Sequence, residues 1–212
     1  LAASGFPFWG VDAGGYSGFA DEETYLRWTE FATFSPIMRF HGVTPREPWA
    51  YSRYAVSVYK FYAWLRENLL KYSVHTAEEA HKTGIPMMRP LPMVFPEDKE
   101  AVYWEDEYFY GSDLLVAPVH QEGEKRRIYF PSGSWINLLD FRKMVGGNRI
   151  LQVDVPIDKI PVYIREGACI LSVMNGELQL GQSMTYEKKN TVLMSRALNE
   201  TSGKRYADGK EI

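Results

Sequence analysis

A single cysteine, Cys169, leaves the chain without an internal disulfide, and its neighbours Ala168, Ile170 and Leu171 predict a buried strand position rather than a reactive thiol. So low a cysteine count fits a reducing compartment and also many secreted proteins, and it tips localisation only slightly toward the cytoplasm. Basic excess is lacking too: 24 Lys and Arg stand against 27 Asp and Glu, a formal charge of -3. Phosphate-backbone contacts require such an excess, so nucleic acid is not an expected partner. No stretch reaches the roughly 20 consecutive apolar residues that span a bilayer. No basic-then-apolar leader opens the chain, and the sequence reads as soluble, with no membrane partner. Three of the four histidines, His75, His81 and His120, have no companions at metal-ligand spacing, so no metal and no cofactor are implied.

What the chain does have is apolar and aromatic mass. Of 212 residues 45% are apolar, enough for a core and too many for a disordered chain. The 6 Trp, 14 Tyr and 11 Phe fall largely before residue 110. Aromatic side chains cover the flat C–H faces of sugar rings while polar neighbours take the hydroxyls, which makes carbohydrate a candidate ligand; aromatic-rich cores are the alternative.

The order of elements carries more. An apolar run from Phe6 to Val11 predicts a strand that ends in Asp12, Gly14 and Gly15. Asp21 is a natural N-cap for a helix over Glu22 to Phe34, which Pro36 stops. A second strand, Ile37 to Phe40, ends at His41 and Gly42, and apolar residues at helical spacing predict one long or broken helix from about Ser52 to Lys82. Alternating strands and helices imply parallel units of a TIM barrel, of which only two are present, whereas a full barrel needs about 250 residues. After about Gly111 short β runs take over, at Leu114 to Val119, Arg127 to Phe130, Ile150 to Val155 and Val162 to Leu171, separated by turn signals as in an antiparallel sandwich. The expected organisation is therefore α/β then all-β. Residues 1–110 form the last part of a (β/α)8 barrel, 111–176 a proximal β-sandwich, and 177–212 the start of a distal β domain.

Several segments, in order, carry a resemblance: FPFWGVDAGGYSG at 6–18, RW at 27–28, FSPIMRFHG at 34–42, PREPW at 45–49, GIPMMRPLPMVFPED at 84–98, YGSDLLVAPV at 110–119, PSGSW at 131–135 and IPVYIREGACI at 160–170. Together they resemble the last two barrel strands and the proximal β-sandwich of glycoside hydrolase family 31, and YADG at 206–209 resembles the start of that family's distal domain. The resemblance implies a retaining α-glycosidase working with two aspartates, a nucleophile and an acid/base, roughly 5 Å apart. Neither of the family's two catalytic segments is present, so no catalytic residue is assigned here. The expected reading is a piece of a longer enzyme, inactive alone, whose partners are the upstream remainder of the barrel and an oligosaccharide or α-glycoside.

The resemblance also assigns substrate-binding roles. Asp12, in GVDAGG, matches an aspartate that accepts sugar hydroxyls at the cleavage subsite; capping of the following loop amides is the structural alternative. His41 matches a histidine donating to a sugar hydroxyl. Tyr16 matches an aromatic that packs on the sugar, often Phe in the family, and Trp9 is a candidate for the pocket lining. Arg39 either lines the pocket or braces carboxylates from below. Arg46 and Trp49 form part of a wall or fix their loop, the second being favoured. The substrate reading is α-glucosidase, with α-xylosidase as the alternative within the family; a lyase or transglycosylase variant shares the covalent intermediate. A noncatalytic carbohydrate-binding fragment is the alternative of another class, and homo-oligomer formation is left open.

Overall fold

A computed structural model of the chain describes residues 1–141, 144–175, 177–184, 190–194, 206–207 and 210–211. Two strands, β1 (Gly10–Asp12) and β2 (Ile37–Arg39), lie parallel with Gly10 opposite Ile37 and Asp12 opposite Arg39. Each is shorter than its apolar run. Pro7 offers no N–H to a ladder, and Phe6 and Phe8 are exposed rather than paired. Between the strands runs α1 (Glu22–Thr33), started by the Asp21 carboxylate, which accepts from Thr24 N at 2.7 Å, and favoured by Glu22 and Glu23 in its first turn.

The long helical segment is two helices, α2 (Arg53–Asn68) and α3 (Leu70–Thr83), and the break has a tertiary cause. Asn68 is fully buried; its amide donates to Val173 O at 2.7 Å and accepts from Gly181 N at 2.8 Å, while Ser172 Oγ donates to the Asn68 carbonyl at 2.9 Å. A strand about a hundred residues downstream thus takes the carbonyl at the joint. Ser52 caps α2 through Ala55 N and also donates to Glu22, tying the starts of α1 and α2 together. Gly84, in the left-handed region at φ 78°, ends α3.

The larger sheet has the order β3 (Met88–Pro90), β4 (Tyr108–Tyr110), β5 (Leu114–Val116), β10 (Val162–Arg165), β7 (Ser134–Asn137) and β8 (Met144–Gly146), paired antiparallel throughout. Residues 88–110, expected with the barrel, therefore contribute two strands to it; the prolines around Met88 to Pro90 conceal a three-residue strand. A second antiparallel pair joins β6 (Lys125–Phe130) to β9 (Arg149–Asp154). Alternation along the strands splits the interior in two. Tyr108, Tyr110, Leu114, Val116, Val162 and Ile164 pack toward the helices with Tyr25, Leu26, Tyr62 and Leu65. Phe109, Leu115 and Tyr163 point the other way, joining Trp135, Ile128 and Phe130 of the sandwich. With both faces covered, these strands read as unbroken apolar runs.

The Val162 to Leu171 run is also two strands. Gly167, at φ 79°, turns the chain after β10, and β11 (Ile170–Met174) leaves the large sheet to pair with β12 (Asn190–Met194). Cys169 follows that turn and is exposed, a correction to the buried position its neighbours implied, because only Ala168 and Ile170 on either side face inward. Residues 177–184, expected in a separate module, lie against α2, where Gly181 meets the Phe61 ring and buried Met184 meets Asn68. Ser183 and Met184 are not in a strand, and Asp208 and Gly209 of the YADG segment lie outside the described residues. Among the described residues no helix is long and apolar enough to cross a membrane.

Candidate functional site

The parallel pairing sends the ends of β1 and β2 in one direction, so the loops that follow both strands share one edge. In open and closed parallel α/β structures this carboxyl edge gathers functional groups. Asp12 is the last residue of β1, Arg39 its register partner, and His41 follows two residues later. Arg39 Nη2 lies 2.6 Å from Asp12 Oδ1, an ion pair with the arginine side chain 56% exposed and the aspartate 21%.

The loop after Asp12 turns at once. Gly15 N donates back to the Asp12 carbonyl at 2.8 Å, and Gly14 and Gly15 adopt φ of 82° and 83°, a region in which a side chain is strained. The turn brings Tyr16 to His41, ring centroids 5.6 Å apart and tilted by 48°, both side chains exposed. Two pairs result, Asp12 with Arg39 and Tyr16 with His41, on adjacent loops. Trp9 is not part of this grouping. It precedes β1 at the other end, packs against the helix-side core, and lines a separate cleft of about 1020 Å³ together with Trp28, Phe31 and Tyr108. That cleft is lined by neither Asp12 nor His41.

Arg46 is where the structure adds most to the sequence reading. Only 5% exposed, it lies between the two loops, donating to Gly15 O at 2.7 Å and Gly18 O at 2.8 Å from one side and to Pro45 O at 2.9 Å on the other. Tyr25 of α1 donates to the Arg46 carbonyl at 3.1 Å and stacks on Tyr51 at 4.1 Å. Burial raises the Tyr25 hydroxyl above its ordinary range, so it remains a donor. The sequence offered one signal for this, an arginine flanked by prolines in a loop rich in breakers. Among the described residues no group of three His, Cys, Asp or Glu side chains is placed to hold a metal ion.

A carboxylate, an imidazole and a phenol ring on the carboxyl edge of two parallel strands, backed by antiparallel sheets, are the arrangement expected where a parallel α/β barrel ends and a β domain follows. The family model described as Glycosyl hydrolases family 31 TIM-barrel domain matches residues 1–76, and that of the Glycosyl hydrolase family 31 C-terminal domain matches residues 84–170. The chain belongs to glycosyl hydrolase family 31. It is 33% identical over 174 residues to Alpha-glucosidase 2 of Bacillus thermoamyloliquefaciens, covering 80% of this chain and 22% of that protein. It is 35% identical over 178 residues to an Alpha-xylosidase of Saccharolobus solfataricus, covering 80% and 24%. The solved structure of the cycloalternan-forming enzyme from Listeria monocytogenes, in complex with pentasaccharide substrate, superposes with a TM-score of 0.90 at 30% identity, covering 99% of this chain and 22% of that one. The chain thus spans about a fifth to a quarter of the length of these relatives.

Proposed function

We propose that this chain is part of a retaining α-glycosidase that hydrolyses terminal α-glucosidic bonds of oligosaccharides through a covalent glycosyl-enzyme intermediate, with the nucleophile and acid/base aspartates outside it. Its contribution is one wall of the sugar subsite. Asp12 accepts hydroxyl hydrogens from the sugar and Arg39 holds the carboxylate in place. His41 donates to or accepts from a further hydroxyl, and Tyr16 covers a ring face. Trp9 packs against the helix-side core just before β1. The observation that supports the reading is the parallel register of β1 and β2, at whose shared carboxyl edge Asp12 ends one strand and His41 follows the other.

In the complete enzyme, Asp12→Ala is expected to lower kcat/KM on nitrophenyl α-glucoside by the equivalent of about 2 to 4 kcal/mol, the loss of a charge-assisted bond in a water-excluded site. The 212-residue chain alone is expected to give no turnover. Unchanged kcat/KM in the variant, or retaining turnover by the chain alone, removes the assignment. A second reading, α-xylosidase, is supported by the 35% identity to an α-xylosidase, which matches that to the α-glucosidase. Relative kcat/KM on the glucoside and the xyloside decides between them.

A further inference from the structure

We propose that Arg46 is the positioning residue that sets the spacing between Tyr16 and His41, and so the width of the sugar subsite on which this inference rests. Tyr16 lies between Gly15 and Gly18, and the carbonyls of both accept from the Arg46 guanidinium, Gly15 O from Nε at 2.7 Å and Gly18 O from Nη2 at 2.8 Å. The carbonyl of Tyr16 itself accepts from Val43 N at 2.8 Å. On the other side, Nη1 donates to Thr44 Oγ1 at 2.5 Å and to Pro45 O at 2.9 Å, and Thr44 Oγ1 donates to Gly18 O at 2.5 Å. Three carbonyls of the loop that carries Tyr16 are therefore held by the segment 43–46, which begins two residues after His41.

The seat fits this side chain closely. A Cβ on Gly42 would lie 2.7 Å from Tyr16 O and 3.1 Å from Arg46 Nε, and one on Gly14 would lie 3.0 Å from Arg46 Cδ. Both glycines let the backbone approach the guanidinium. Glu47 accepts from the Arg46 backbone N–H, not from its side chain, so the buried cation is satisfied by neutral oxygens spread over two loops. A planar fork donates in three fixed directions at once, which the single ammonium of lysine on a flexible stem does not reproduce. Arginine is used here for geometry, and its charge strengthens each bond.

The test is made in the complete enzyme, measuring kcat and KM on nitrophenyl α-glucoside together with the melting temperature. Arg46→Lys is expected to lower kcat/KM about tenfold and Arg46→Ala about a hundredfold, since displacing a substrate-positioning group by about 1 Å costs on that order. Added guanidinium chloride at low millimolar concentration should recover part of the loss in the alanine variant and none in the lysine variant. In a Tyr16→Ala, His41→Ala background, Arg46→Ala should cost less than about twofold more, because a residue acting through those two side chains has nothing left to position. An undiminished loss in that background means a general structural role and overturns the proposal, as does an Arg46→Lys variant equal to wild type. If Tyr16→Ala and His41→Ala leave kcat/KM unchanged, the subsite reading falls and this inference falls with it. If they lower it while Arg46→Lys does not, this inference alone falls.

Discussion

Replacing Arg27 with methionine removes the main polar tie between α1 and the sandwich loops. The guanidinium is 8% exposed and donates to four carbonyls: Gly123 at 3.2 Å, Val155 at 3.0 Å, Pro156 at 3.0 Å and Lys159 at 2.9 Å. It also pairs at 3.4 Å with Glu30, which is 1% exposed. Burial raises the Glu30 carboxyl from 4.5 to about 8, with Arg27 pulling it partly back. Above about pH 8, where Glu30 is ionised, breaking the buried pair by removing one partner costs about 3 to 5 kcal/mol. The four carbonyls do not add their full bond energies to that, because Gly123 lies on an exposed turn where water replaces the donor. The sign of the pH dependence follows from the raised pKa. Stability tied to neutral Glu30 is fully present below about pH 4.5 and is lost as pH climbs through about 8. In the wild type the loss levels off above about 8, where the carboxyl is ionised folded and unfolded alike, and Arg27 keeps that point from lying higher. Without Arg27 the pKa rises further and the loss continues. Arg27→Met is therefore expected to cost roughly 1 to 2 kcal/mol more at pH 9 than at pH 6, by the relation of about 1.4 kcal/mol per pKa unit. Urea unfolding followed by tryptophan fluorescence at the two pH values reads this directly. A loss under about 1 kcal/mol at both, or an equal loss at both, would refute the reasoning, and so would failure of Arg27→Met/Glu30→Leu to abolish the difference.

Two further perturbations probe the sheet. Glu107 is 2% exposed, burial raises its carboxyl to about 8, and it accepts from Tyr129 N at 3.0 Å. Because the folded pKa is raised, stability should fall between about pH 4.5 and 8; Glu107→Gln keeps an acceptor for Tyr129 and should flatten the urea midpoint over that window, so an unchanged slope counts against this account. Gly111 sits at φ 68°, and a Cβ there would fall onto the Tyr72 hydroxyl, which donates to Tyr110 O at 2.8 Å and accepts from Asp113 N at 3.2 Å. Gly111→Ala should cost about 2 to 5 kcal/mol by denaturant melts, summing left-handed strain and overpacking, and a cost below about 1 kcal/mol would show that the turn has another way to relax.

What the sequence carried depends on whether each feature is decided locally. The start of α1 is local: Asp21, two glutamates and an apolar stripe set its cap and buried face within one turn. The break at Asn68 is not, because its cause is Ser172 and Val173 on β11. The apolar run at Val162 to Leu171 reads as one strand, since Ala168 and Ile170 are buried, yet the turn at Gly167 passes the chain to another sheet and leaves Cys169 outside. The candidate site divides the same way. Asp12 and His41 are legible as polar residues ending apolar runs. That Arg39 faces Asp12 follows only from the parallel register, and that Arg46 holds both loops follows only once the loops are side by side.

The two arginines give α1 a structural task beyond connecting β1 to β2. Tyr25 and Arg27 stand two residues apart, so roughly 200° of helix rotation sends them to opposite sides. Tyr25 fixes the Arg46 carbonyl beneath the site loops, and Arg27 fixes the sandwich turns at Gly123 and at Val155 to Lys159. Ser52 adds a third tie by joining the start of α2 to Glu22 in the first turn of the same helix. Loops after short strands have few backbone bonds of their own, and here their positions are set by a helix that is itself braced from the β domain. The sandwich is thus bonded directly to a helix on which the loops after β1 and β2 rest, a physical reason for barrel and β domain to share one chain.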